Sequence, residues 1–326
     1  MSTATVTNYA ALPIVSRCVR AFFAPVDRVN QLPSIFDPSQ MGQFSLNAPP
    51  SPWIDLGWIE NFLRKSTSTI GALSSGVPSV TQYQVRETTG ATVSFRFKVW
   101  NKLTMALAAG SQHMNLIQPA SGSTANGSGA KGIAAVSVQA GSTATSIVLN
   151  AADTTQFSAG CMVAIDADYA GQTGFVGSGV SAAYVRSAAA INNDPDYIRR
   201  VTFNVARVSA VSTSGLQLAQ PLIAGGPATS MKVQPILGFV DREGGSFFQE
   251  WSALFVMPGE QGERVIFHYP RLQAMQGSAE TMDTLVSPLE RIALNASFRA
   301  LPVADSNDGE QVVCFRSFLP SGVTPL

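Results

Sequence analysis

The chain has 326 residues, enough for two average domains, and 45% of them are hydrophobic whereas only 13% are charged. Soluble domains usually have about 25% charged residues, so copies of this chain repel one another weakly, which suits a subunit buried in an assembly. The 21 basic and 21 acidic residues balance, which excludes a general nucleic-acid binder with a strong basic excess.

The cysteines and the N-terminus further limit the classes of protein to which the chain can belong. Cys18, Cys161 and Cys314 lie far apart, without a Cys-x-x-Cys pair, which argues against a disulfide framework or a zinc module and fits a reducing cytoplasm. The first residues lack the basic and apolar stretches of a signal peptide. No run of about 18 apolar residues occurs, so we expect no membrane span.

The N-terminal segment is predicted to be an extended arm. Prolines interrupt residues 1–52 repeatedly, which favours one or two short strands followed by irregular chain, and we expect such an arm to lie partly on a neighbouring copy. A compact aromatic patch that contains Trp53 and Trp58 follows. Residues 66–79 are rich in Ser, Thr and Gly and are predicted to form a loop.

Alternation of apolar and polar residues then predicts a β-hairpin over residues 80–100. Its strands are 80–87 and 92–100, joined by a turn at 88–91 where Gly90 permits a positive φ. Phe95 and Phe97 share the apolar face of the second strand, whereas Arg96 and Lys98 share the polar face.

A helix is predicted over residues 101–117, with Asn101 as its N-cap and Pro119 after its end. A Gly/Ser-rich linker over 119–132 and a breaker cluster over 224–230 enclose residues 130–225, in which short strand patterns alternate with turns. We predict that 130–225 form a small all-β domain inserted into a host β domain, which comprises residues 1–129 and 226–326.

The last ninety residues contain the clearest strand patterns. Residues 263–274 and 289–302 both alternate apolar and polar side chains, as strands with one buried face do. Between them, residues 274–288 are assigned a second short helix. Asp308-Gly309 predicts a tight turn that needs no ion.

Residues suited to catalysis or metal binding are scarce. His113 and His268 are the only histidines, and neither has clear partners for a metal site. No nucleophile motif or phosphate-binding loop stands in a suitable strand–turn–helix setting. We therefore expect no enzymatic activity, no cofactor and no metal.

The order of these elements resembles the major tail tube protein family of tailed bacteriophages, which is related to the tubes of contractile injection systems. The resemblance covers the host segments and leaves out residues 130–225, which depart from the minimal family pattern. The segments that carry it are Trp53–Trp58, the hairpin 80–100, the helix 101–117, the strand Phe267–Arg271 and Leu289–Pro302.

The resemblance implies a mainly-β fold: a β-sandwich or half-barrel with one flanking helix, to which the small β domain is added on the outside. It implies hexameric rings that stack around a channel for genome delivery. The partners would be copies of the chain itself, other tail proteins and double-stranded DNA in passage. The protein would reside in the virion tail after assembly in the host cytoplasm.

Two groups of residues are candidates within such a tube. A channel that passes DNA should be neutral to acidic, because a basic wall would retain DNA. The candidate lumen-facing residues are Glu250, Glu263 and Glu290, and the candidate contacts between subunits are Phe95, Phe97, Trp53 and Trp58. The alternatives are another virion component, such as a capsid or decoration protein, and a secreted carbohydrate-binding or adhesive β module.

Overall fold

The computed structural model describes residues 16, 18–26, 32–116, 135–167, 183–184, 203–223, 225–243, 250–260, 262–275, 279–286 and 289–320. Over these residues the predicted mainly-β class is confirmed. The helices there are α1 (Pro38–Met41), α2 (Lys102–Ala109) and a 3-10 turn (Asp153–Gln156). None of them has the length and apolar character needed to cross a membrane.

The strands of the described residues follow one another in chain order. They are β1 (Val19–Pro25), β2 (Ile54–Ser75), β3 (Val80–Phe97), β4 (Gln112–Leu116), β5 (Val136–Ser137), β6 (Ser146–Val148), β7 (Met162–Ala167), β8 (Ala183–Tyr184), β9 (Val205–Ser212), β10 (Gly215–Leu218), β11 (Met231–Ile236), β12 (Gly238–Arg242), β13 (Glu250–Pro258), β14 (Arg264–Ala274), β15 (Ala279–Val286), β16 (Leu289–Ala300), β17 (Val303–Ala304), β18 (Gln311–Val312) and β19 (Phe315–Leu319).

The largest sheet is antiparallel and has eight strands in the order β15-β16-β3-β2-β1-β13-β14-β19. It curls until the ends of β14 and β16 meet, where Leu272 pairs with Ala300 and Ala274 with Phe298. This pairing closes six strands, β16-β3-β2-β1-β13-β14, into a barrel. The strands β15 and β19 extend beyond the closure at its two sides.

Alternating residues of the six strands fill the barrel with aromatic rings. Phe95 is at the centre: its ring lies 5.4 Å from that of Phe255 and 5.6 Å from that of Phe298, while Phe23 lies 5.5 Å from Phe298. All four side chains are buried. Aromatic contacts of this kind add to the large apolar area that each ring removes from water.

The outer face of β1 and β13 is also apolar, so it needs a cover. Phe22, Leu254 and Val256 point outward there, and Phe36 and Trp53 from the arm pack on them. The described part of the arm, residues 32–52, therefore packs on its own barrel through these side chains. Residues 1–15, the beginning of the predicted arm, lie outside the described residues.

A second sheet has six strands in the order β5-β11-β7-β9-β10-β6 and its own buried cluster, which includes Ile147, Val163 and Val233. It corresponds to the predicted insertion but runs to Ile236 rather than ending at 225, because β11 pairs with β5 and β7. Phe203 connects the two units: its ring is buried in the barrel cluster, 6.0 Å from that of Trp251.

Three predictions about the helices and the hairpin turn were wrong. The helix predicted over 101–117 ends at Ala109 because Gly110 adopts a left-handed conformation with φ 62°, and His113 lies in β4 instead. The segment 274–288 contains strand β15 rather than a helix. The predicted hairpin turn at 88–91 does not exist, because β3 runs unbroken and Gly90 pairs with Thr67 in the ladder.

Other local predictions were confirmed. The two alternating segments near the C-terminus form β14 and β16. Asp308-Gly309 forms the turn between β17 and β18, where Gly309 has φ 77° and the carboxylate of Asp305 accepts a hydrogen bond of 2.9 Å from the backbone N–H of Asn307. Asn101 caps α2, accepting a bond from the N–H of Thr104.

Removal of one ring from the barrel should be costly. We expect Phe95→Ala to lower the free energy of unfolding by about 3–5 kcal/mol, since it leaves a cavity among four other rings. Tyr83→Ala on the same strand is the control, and because Tyr83 is exposed it should change stability by about 0.5 kcal/mol or less. Urea denaturation of both variants measures the difference, and equal effects would contradict the described core.

Candidate assembly surface

The strands β2 and β3 continue far beyond the barrel as a two-stranded projection. The chain reverses at residues 76–79, where Gly76 has φ 98°, and residues 67–90, here called the distal hairpin, are exposed apart from two half-buried glycines. At about 3.3 Å per residue the distal hairpin extends about 30 Å from the barrel. Residues 66–79, predicted to be a loop, are therefore one strand and the turn of this hairpin.

One face of the distal hairpin is apolar. The register pairs Leu73 with Tyr83, Gly71 with Val85, and Ser75 with Val80, so these side chains share a face. The side chains of Leu73 and Tyr83 are 65% and 69% exposed. Each Val or Leu transferred from water into a contact would contribute about 1.5–3 kcal/mol, so this face is suited to binding another surface.

The opposite face is mainly polar. It carries Ala72, Ser74, Thr81, Gln84 and Arg86, with Ile70 as its one large apolar side chain. On the side of Leu73, nearer the barrel, Thr69 and Thr88 are hydrogen-bonded across the two strands at 2.9 Å. An isolated two-stranded hairpin is only marginally stable in water. The distal hairpin therefore contributes little to the stability of the fold, and its two faces differ in polarity.

The residues predicted to contact other subunits lie elsewhere. Phe95 and Phe97 are buried in the barrel, and Trp53 is buried under the arm. Trp58 is half-buried, with the guanidinium of Arg20 5.2 Å from its ring. Phe95, Phe97 and Trp53 are therefore enclosed within a single chain. The sequence did not reveal this, because an apolar strand face has the same pattern whether it packs on its own chain or on another.

The candidate lumen residues occupy three different settings. Glu250 is buried and forms an ion pair with Arg271, so it cannot line a wet channel. Glu263 is half-buried in the turn between β13 and β14. Glu290 lies in β16, where its backbone pairs with that of Thr284.

Lys98, which directly follows β3, forms an ion pair with Glu60, with Nζ 3.4 Å from Oε1. The pair is half-exposed, so it contributes less than about 1 kcal/mol to stability.

The eight-stranded sheet has two open edges in the part of the chain that the structure describes. There β15 is hydrogen-bonded to β16 alone, and β19 to β14 alone. An unpaired strand edge readily accepts a strand from another chain. Over the described residues, β15 and β19 are thus the two terminal strands of this sheet.

A cleft of about 870 Å³ lies between the arm, β14 and the β17–β18 turn. Its walls include Leu32, Ile35, Phe36, Val303 and Phe315. Leu32 and Ile35 are largely exposed. The volume falls in the range of about 300–1,000 Å³ that is typical of binding sites, and the apolar walls suit apolar side chains.

His268 fixes the arm at the back of this cleft. It is buried, stacked on Phe315 at 5.7 Å and in edge contact with Phe36 and Trp53, while Nε2 lies 3.3 Å from the carbonyl oxygen of Ser34. Burial lowers the pKa of His268 to about 4, which the Ser34 carbonyl only partly offsets. The imidazole is thus neutral at pH 7 and packs as an aromatic ring.

No known family model matches this chain, and no curated protein sequence is significantly similar to it. The function must therefore be inferred from the surfaces themselves.

The His268 pKa predicts a specific pH dependence. The unfolded imidazole gains its proton near pH 6.5 but the folded one only near pH 4, so folding stability is fully present above pH 6.5 and falls as the pH drops toward 4. The loss reaches about 3 kcal/mol. His268→Phe should reduce this fall in denaturant titrations at pH 7 and pH 4, and an unchanged fall would contradict the assignment.

Proposed function

We propose that this chain is a structural subunit that assembles with copies of itself into a tube, as the tail tube of a tailed bacteriophage does. The observation that carries the proposal is the distal hairpin, whose apolar face has no cover within the described part of the chain. The role is mechanical and needs neither a catalytic residue nor a cofactor. The proposed partners are further copies, other tail proteins and DNA in passage through the channel.

The two open sheet edges support the same proposal. Joining β15 of one subunit to β19 of the next would satisfy the backbone groups of both edges and continue the sheet around a ring. The low charge content of the chain permits such close packing of copies. We propose hexameric rings that stack, with the second sheet on the outside, in the virion tail.

The proposed channel is neutral to acidic, so that DNA slides without being held by counterion release. Glu263 and Glu290 are the remaining candidates for its wall, because Glu250 is buried. Lys98 is neutralised in part by Glu60. A density map of the assembled protein with a channel lined chiefly by Lys and Arg would reject this assignment.

The direct test is assembly of the purified chain over a range of concentrations. We expect light scattering to increase with concentration and negative-stain images to show hollow tubes of stacked rings. Closed shells would favour a capsid or decoration role instead. Monomers at every concentration would reject the proposal.

The distal hairpin provides a matched pair of variants. Tyr83→Glu places a carboxylate on the apolar face, whereas Gln84→Glu places the same group on the opposite face of the same strand. Burial of an unpaired charge is costly, so we expect Tyr83→Glu to weaken assembly by about tenfold or more, and Gln84→Glu to have little effect. Thermal unfolding should be similar for both, and equal assembly would contradict the role of the apolar face.

The second sheet should be dispensable for the tube. Leu116 and Gly238 are paired neighbours on β4 and β12, so a short Gly-Ser bridge can replace residues 117–237. The deletion also removes Phe203 from the barrel core, which should cost about 3–5 kcal/mol. Full-length Phe203→Ala is the control for that loss.

We expect the deletion variant to form thinner tubes when it is kept below its melting temperature. The opposite result would be a deletion variant that folds but forms no rings, while full-length Phe203→Ala still forms them. That result would place the second sheet in the tube wall.

A further inference from the structure

The strand pair β14–β19 brings polar side chains to the edge of the barrel core. Phe267 of β14 lies opposite Arg316 of β19, so their side chains share a face. Tyr269 follows Phe267 by two residues, and Cys314 precedes Arg316 by two, directly before β19 begins. Because strand residues alternate between faces, all four lie on one face. Phe267, Tyr269 and Cys314 pack against the aromatic core there.

Arg64 from β2 completes this group. Its guanidinium carbon lies 5.8 Å from the centre of the Phe267 ring, and its charge interacts with Tyr269 and Cys314. Cys314 in turn interacts electrostatically with Arg316. The name donor cluster is used here for Arg64, Tyr269, Cys314 and Arg316. The cluster extends from the core to the surface: Tyr269 is buried, Arg64 and Cys314 are half-buried, and Arg316 is exposed.

Every member of the donor cluster carries a proton at neutral pH. The guanidinium groups of Arg64 and Arg316 remain charged. Burial raises the pKa of the Tyr269 phenol and of the Cys314 thiol above their usual values, so both groups keep their protons. The cluster thus combines N–H, O–H and S–H donors with two positive charges.

Within the described residues, the protein does not satisfy these donors. No hydrogen bond of normal geometry reaches the Nε of Arg64 or the hydroxyl of Tyr269, although both atoms are shielded from water. Asp37 and Asp305 line the cleft together with Arg316, but the ion pairs of the described residues include neither Arg64 nor Arg316. Buried donors without acceptors are costly, so a negatively charged acceptor would stabilise the cluster.

We propose that the donor cluster binds an oxyanion, a carboxylate or a phosphate group, with the guanidinium groups of Arg64 and Arg316 as its two cationic partners. A guanidinium group matches two oxygens of such a ligand in geometry as well as in charge. Tyr269 and Cys314 support the site as neutral donors on its inner side. The site belongs to a single copy of the chain, so it does not depend on the proposed assembly.

The test is a titration of the dilute, isotope-labelled full-length chain, followed by nuclear magnetic resonance. Sodium acetate or sodium phosphate replaces sodium chloride at constant ionic strength, so that general screening does not change. The probes are the Nε–H of Arg64 and the backbone N–H of Cys314. We expect both signals to shift with increasing oxyanion and to reach a plateau.

Two substitutions damage the site, and a third is the matched control. Arg316→Gln removes an exposed guanidinium, so the fold should tolerate it. Arg64→Lys keeps a positive charge but loses the planar fork. Lys65→Gln removes the charge of an exposed neighbour on the opposite face of β2. We expect the dissociation constant measured at Cys314 to rise by about tenfold or more in the first two variants, and by less than about twofold in Lys65→Gln.

The outcomes decide the proposal. A plateau with both salts would support a general oxyanion site, and a plateau with one of them would support a site for that group alone. Shifts that increase linearly with both salts, or equal affinities of Arg316→Gln and Lys65→Gln, would overturn the proposal. Thermal unfolding shows whether Arg64→Lys is folded during the titration, and if it is not, Arg316→Gln decides alone.

Discussion

Closure of the curled sheet around the aromatic cluster determines which parts of the strands are buried in the barrel and which project from it. Six strands suffice to enclose the rings of Phe23, Phe95, Phe255 and Phe298. The barrel needs only Ala91–Phe97 of β3 and the beginning of β2. The remainder of these two strands has no place in the barrel and projects from it, so the same strands supply both the core and the candidate assembly surface.

The arm covers a second apolar face, which lies on the outside of β1 and β13. Phe22, Leu254 and Val256 lie outside the barrel, and the arm seals them with Phe36 and Trp53, held by the neutral ring of His268. No comparable cover lies over Leu73 and Tyr83 in the described residues. The contrast between a sealed face and an uncovered one is the physical basis for assigning the latter to a contact between copies.

Strand patterns in the sequence predicted the fold class well, because one-sided burial produces an alternation that can be read locally. Both C-terminal strands and the strand containing Phe95 and Phe97 were found in this way. Long-range pairing cannot be read locally: Gly90 suggested a turn, yet Thr67 opposite it continues the ladder. The helix ended early because Gly110 fits a left-handed cap, a conformation that the preceding apolar stripe did not reveal.

The candidate site was harder to predict for the same reason. Phe97 and Tyr83 both lie on alternating parts of one strand, and only the closure of the barrel decides that the first is buried and the second exposed. Glu250 looked like a free carboxylate because its partner, Arg271, is supplied by the neighbouring strand. Residues 66–79 lacked large side chains at regular spacing, so their role as a strand followed only from their pairing with β3.

The central claim is that the distal hairpin becomes covered only when copies of the chain assemble. Hydrogen exchange of the backbone amides tests this claim most directly, because it measures the protection of residues 67–90 before and after assembly. In dilute protein, residues 67–90 should exchange rapidly while Ala91–Phe97 remain protected in the barrel. On assembly at high concentration, exchange in 67–90 should slow by about tenfold or more, whereas the barrel changes little. Equal exchange of residues 67–90 in dilute and concentrated protein would contradict the account.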